Sequence, residues 1–118
     1  MSHLTVVEKK DAENCPIRNV VDRIGDKWSL LILFALSEQP TRFNELKRII
    51  GDISQKVLTK TLKDLQQEGY ISRTVYDVSP PKVVYDLTGL GRSVLVPIGQ
   101  LVHWANENHQ TIKRNRES

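Results

Sequence analysis

The stretch Ser54-Gln55-Lys56-Val57-Leu58-Thr59-Lys60-Thr61-Leu62-Lys63-Asp64-Leu65 constrains this chain more than any other. At about 100° per residue, Leu58, Leu62 and Leu65 point one way, while Lys56, Lys60, Lys63 and Gln67 form a stripe on nearly the opposite face. Ser54 is a good N-cap for such a helix and Gly69 a good stop after Glu68. A shorter apolar pattern, Phe43, Leu46, Ile49 and Ile50, precedes it through the tight connection Gly51-Asp52-Ile53. Two strand-like runs follow. Short helix, turn, cationic helix and hairpin, in that order, predict a helix-turn-helix with a wing, a plan in which the second helix lies in the DNA major groove.

The remaining segments supply a body for this unit. Pro16 suits the first position of a helix after Asn14 and Cys15, and Ile17, Val20, Val21 and Ile24 recur at helical spacing up to Gly25. Asp26 caps a second helix from Lys27 to about Leu36 that is apolar nearly all round, as a central or intersubunit helix is. Gln39-Pro40 ends it, and Thr41-Arg42-Phe43 reads as a short strand or extended entry. Ile71 to Tyr76 and Val83 to Leu87 alternate and are rich in β-branched and aromatic residues, with the turn-like Asp77-Val78-Ser79-Pro80-Pro81-Lys82 between them. Thr88-Gly89-Leu90-Gly91 enters a last helix, with Pro97 a candidate kink, in which Leu95, Ile98, Val102, Ala105, His109 and Ile112 follow a three-four repeat. That helix has more apolar surface than so small a body covers, which suggests a dimer seam. Lys113-Arg114-Asn115-Arg116 reads as a frayed, solubilising tail.

The expected class is therefore mainly α with a small β-hairpin wing (α+β): a winged helix-turn-helix with terminal dimerisation helices. One domain spans residues 1–118, with core and dimer helices at 14–36, the helix-turn-helix and wing at 41–88, and the C-terminal dimerisation helix at 89–112. A chain of 118 residues suits a single core. Its longest apolar run, Leu30 to Leu36, is far short of the roughly 18 residues that cross a bilayer. Met1-Ser2-His3-Leu4-Thr5-Val6-Val7-Glu8 lacks a basic start and a long apolar stretch, so no signal peptide is expected and the protein should be cytoplasmic.

Net charge is only +3, yet its distribution is uneven. Between Thr41 and Lys63 six cations (Arg42, Lys47, Arg48, Lys56, Lys60, Lys63) face two anions (Glu45, Asp52). Such an excess on the predicted motif favours an anionic partner.

The segments Cys15-Pro16-Ile17, Gly25-Asp26-Lys27-Trp28, Arg42-Phe43-Asn44-Glu45-Leu46, Gln55-Lys56-Val57-Leu58-Thr59, Leu65-Gln66-Gln67-Glu68-Gly69-Tyr70-Ile71 and Tyr85-Asp86-Leu87-Thr88 resemble the HxlR-type family. These are small bacterial winged-helix transcriptional regulators related to the MarR group. The resemblance runs from about Cys15 to Trp104. It implies a homodimer on a pseudo-palindromic operator, with recognition helices in successive major grooves and wings against the flanking backbone or minor groove.

Within that frame Gln55, Lys56, Thr59 and Lys60 are the candidates for base edges, since Gln pairs with adenine, Lys donates to guanine and the Thr methyl meets thymine. Lys63, Arg42 and the amides capped by Ser54 are candidates for phosphate. Arg73 and Lys82 are the wing cations placed to touch the flanking backbone. The alternative is that these charges merely solvate a surface and the winged helix binds protein.

Cys15 is the sole cysteine, so no intrachain disulfide forms. At a helix N-terminus a thiolate is favoured. The resemblance adds that a cysteine at this motif position serves several members as a sensor of oxidants or electrophiles. The other reading, a small buried residue packing against the dimer helices, stays open. Trp28, Phe34 and Trp104 read as core or dimer aromatics rather than a ligand cage, and a small-molecule effector pocket beside the dimer helices is a further alternative. His3, His103 and His109 do not form a metal set, no cofactor is called for, and no His/Asn pair or resolving cysteine supports a thiol enzyme.

Overall fold

The computed structural model describes residues 15–118. Asn14, His3 and the Met1 to Glu8 segment lie outside them. The elements run α1 Pro16–Ile24, α2 Lys27–Glu38, β1 Thr41–Arg42, α3 Phe43–Ile50, α4 Gln55–Gln67, β2 Ile71–Tyr76, β3 Lys82–Leu87 and α5 Gly89–Glu117. The class is the expected one, a winged helix-turn-helix that is mainly helical.

Helix α2 is the hub, packed against α1, α3, α4, α5 and β3. Its Ile32, Leu33 and Leu36 are wholly buried and meet Leu46 of α3 and Leu58, Leu62 and Leu65 of α4 in one core. Asp26 starts α2 as predicted, its carboxylate accepting from the Ser29 amide at 2.8 Å and the Ser29 hydroxyl at 2.9 Å. That pairing explains how a serine as buried as Ser29 is tolerated.

The wing is a three-stranded antiparallel sheet in the order β1-β3-β2, with Thr41 opposite Tyr85 and Arg73 opposite Tyr85 from the other side. Alternation in β2 does not translate into a buried face. After Ile71, every β2 residue is exposed, because the hairpin projects beyond the core instead of lying on it.

Two glycines set the junctions. Gly69 sits at φ +86, where its amide donates to Gln66 and the Tyr70 amide to Leu65, both at 3.0 Å, turning the chain sharply out of α4 into β2. Gly91 lies so close to the turn between α4 and β2 that a Cβ there would stand 2.2 Å from the Tyr70 carbonyl oxygen. Thr88 binds the same junction, its hydroxyl 2.6 Å from the Gly69 carbonyl while accepting the Gly91 amide at 3.1 Å. Thr88-Gly89-Leu90-Gly91 is thus a helix entry.

Helix α5 departs from expectation at its end. It continues through Pro97 and through Lys113-Arg114-Asn115-Arg116 to Glu117, so the basic cluster is a last helical turn and not a frayed tail. No glycine or proline follows Pro97 closely enough to stop it, apart from the tolerated Gly99, and cations in the final turn complement the helix dipole. Among the described residues no helix is long and apolar enough to cross a membrane.

Candidate nucleic-acid interface

Helix α4 presents its polar face outward because its leucines are spent on α2. Ser54 accepts from the Val57 amide at 3.1 Å and so fixes the helix start. From there Gln55, Lys56, Thr59, Lys60 and Lys63 line one shallow solvent-facing depression, all exposed. The predicted base-reading set is thereby brought together on one surface.

Its two edges differ. Toward the wing, Thr59, Lys63, Gln66 and Gln67 form an open cleft of about 530 Å³ with Arg73 and Tyr85. Arg73 therefore stands beside Lys63, and both lack an ion-pair partner among the described residues. Toward α1, Lys60 donates to Asp64 at 2.9 Å, and Arg23 of α1 approaches the same carboxylate oxygen at 3.2 Å while bonding Glu68 through Nε. The Lys60 hydrogen bond, reinforced by the charges of Lys60, Arg23 and Lys63, holds the Asp64 carboxyl below the usual carboxylate range. The Glu68 hydrogen bond, opposed by burial and aided by the Glu68, Asp64 and Asp26 charges, raises Arg23 further.

Arg42 lies apart, in a second open cleft of about 550 Å³ with Phe43, Asn44, Glu45, Arg48, Pro81 and Val83, between the start of α3 and the wing. Arg48 is forked onto Glu45 at 2.7 Å and contributes little free charge. Lys82 begins β3 with its ammonium 5.3 Å from the Tyr76 ring centroid, at the far end of the wing. Cys15 lines none of these clefts and is buried at the N-cap of α1 with 3% of its surface exposed. No group of histidine, cysteine and acidic residues among the described residues could hold a metal ion.

Sequence reading missed Arg23 and Gln66. The Lys60–Asp64 spacing of four was a signal for that pair, whereas an arginine arriving from another helix leaves no local pattern.

A capped helix with an outward cationic face, preceded by a short helix across a tight turn and flanked by a projecting hairpin, defines a winged helix-turn-helix nucleic-acid-binding protein. Residues 23–113 match the HxlR-like helix-turn-helix family, and the chain belongs to it. It is similar to the uncharacterized HTH-type transcriptional regulator YtfH of Escherichia coli strain K12, with 42% identity over 97 residues, covering 82% of this chain and 77% of that one. Among solved structures, the transcriptional regulator ytfH from Salmonella typhimurium superimposes with a TM-score of 0.79 at 38% identity, covering 91% of this chain and 96% of that one. The redox regulator HypR is similar in its reduced form, with TM-score 0.79 and 34% identity over 84% of this chain and 98% of that one. Its oxidized form gives 0.74 and 37% over 80% and 97%. The chain is thus a helix-turn-helix transcriptional regulator.

Proposed function

We propose that the protein is a homodimeric repressor that grips a pseudo-palindromic operator, one α4 helix entering each of two successive major grooves. The observation that carries this reading is the single outward surface formed by Gln55, Lys56, Thr59 and Lys63, continuous with Arg73 of the wing. Gln55, Lys56 and Thr59 take base edges; Lys63, Arg73 and the amides at Ser54 take phosphate, with Arg42 and Lys82 on the flanking backbone. Lys60, paired with Asp64, stands at the edge of this set.

Dimerisation through α5 and α1 accounts for apolar side chains left on the outside of one protomer. Val96, Leu101 and Trp104 are 66%, 60% and 53% exposed, and Ile17 and Val21 of α1 are about half exposed. Repression suits a body with little further surface for contacting polymerase.

Cys15 is the switch in this reading. Its place at the start of α1 and the chain's similarity to a redox regulator support it. Because the thiol is buried, its oxidation in this reading is coupled to a rearrangement around the start of α1. Two Cys15 thiols of partner protomers joined by diamide lose two hydrogens to the reagent and become one disulfide. The test is fluorescence anisotropy with duplex from the upstream region of the protein's own gene, using reduced and diamide-treated protein across a salt series. Tight, salt-dependent binding that changes on oxidation, and a Cys15→Ser variant that no longer responds, are expected. Binding indifferent to diamide would remove the thiol switch and turn the search to a small-molecule effector. Weak, salt-insensitive binding would favour the protein-interaction alternative.

A further inference from the structure

The acidic pair Asp64 and Glu68 sits where a helix least favours it. Both lie at the C-terminal end of α4, against the negative end of the helix dipole. Lys60 precedes Asp64 by four residues, the less favourable orientation for a helical ion pair. Local helix energetics therefore do not account for these carboxylates, and violations of a local rule tend to mark function. What holds them is Arg23, which reaches across from α1 to touch both. Asp64 is four-fifths buried at this junction, while Lys60 is 75% exposed and pinned by one end only.

We infer that Asp64 is a positioning residue for DNA recognition: anchored by Arg23, it draws the Lys60 ammonium to the α1 edge of α4 and withholds that cation from phosphate. The inference rests on the α4 face being the DNA-binding surface. Its consequence is a lowered sequence-independent component of binding, which widens the gap between operator and random DNA. Lys56 and Lys63 flank Lys60 on the same stripe but make no direct ion pair among the described residues, Lys63 acting on Asp64 only through its charge, so Lys60 is the one cation of the row held in contact.

The test compares wild type with Asp64→Asn, Lys60→Ala and the double variant on a random-sequence duplex and on the operator, each over a salt series. Asp64→Asn is expected to steepen the salt dependence on random duplex by about 0.9 per bound protomer as Lys60 turns to phosphate. Between 50 and 200 mM salt that is a roughly 3.5-fold steeper loss per protomer, and the operator preference falls. Lys60→Ala alone leaves the slope as in wild type, and in the double variant the gain disappears. An unchanged slope in folded Asp64→Asn, or a slope reduced by Lys60→Ala alone, overturns the inference while leaving DNA binding intact. Because Lys60 is exposed, its variant tests the point even if Asp64→Asn fails to fold. Wild type that binds no duplex at any salt overturns the DNA reading and the inference with it.

Discussion

Two glycines separated by one residue at the start of α5 should respond to the same substitution with opposite signs. Gly89 occupies the first helical position, and an added Cβ there meets nothing within 4 Å. Gly91 faces the chain leaving α4, where a Cβ would stand 2.2 Å from the Tyr70 carbonyl oxygen and 3.0 Å from Leu87 Cδ2. Ordinary contact begins at 3.4 Å, so α5 must retreat by about 1.2 Å to admit Gly91→Ala. The Tyr70 oxygen is backbone, and the Thr88 hydrogen bonds fix it on the same side, so the retreat strains the Thr88 cap as well. Overpacking of this kind costs about 1 to 3 kcal/mol, which for a chain of this size lowers Tm by roughly 4 to 15 °C. Gly89→Ala removes unfolded-state freedom without a clash and should stabilise by up to about 1 kcal/mol. Thermal unfolding followed by circular dichroism at fixed protein concentration reads both. A Gly91→Ala protein that melts at or above wild type would show that the α5–β2 junction is looser than its packing implies.

Lys63→Ala should lower the slope of log affinity against log salt by about 0.9 for each protomer bound, without altering base preference in a selection from random operators. A changed preference at one position would make Lys63 a base reader. Leu62→Ala, at a side chain 1% exposed between α4 and α2, should cost about 2 to 5 kcal/mol in urea unfolding. Asp64 is held below its ordinary carboxyl value, so its ion pairs stabilise the fold fully above that value and are lost as pH falls through the folded value. The stability gap between wild type and Asp64→Asn should therefore be present at neutral pH and shrink below about pH 4, as measured by urea midpoints.

Local signals placed most elements correctly because each end of α4 and the start of α2 carry their own chemistry: Ser54, Gly69 and Asp26 act through bonds to residues at most three positions away. The predicted interface cations came together for the same reason, since helical period alone aligns Lys56 with Lys63. What the sequence did not disclose depends on distance along the chain. Arg23 reaches its partners across more than forty residues, and the alternation of β2 could not say whether its sheet lies on the core or projects from it. The end of α5 misled in the opposite sense. A cluster of charges at a terminus suggests fraying, yet the same cations favour the end of a helix and keep it wound.

Strand β1 has only two residues, yet it leads without a break into α3, and its pairing with β3 joins the wing to the entry of the motif. The other wing strand leaves the exit of α4 through Gly69. Chain and hydrogen bonds thus close the helix-turn-helix and wing into a ring with no free end. A closed ring transmits force as a frame does: neither helix nor hairpin can swing by itself without breaking the sheet. In the proposed dimer, a signal arriving from α1 or α5 would move this frame as one body, changing the spacing between the two α4 helices rather than the shape of either unit.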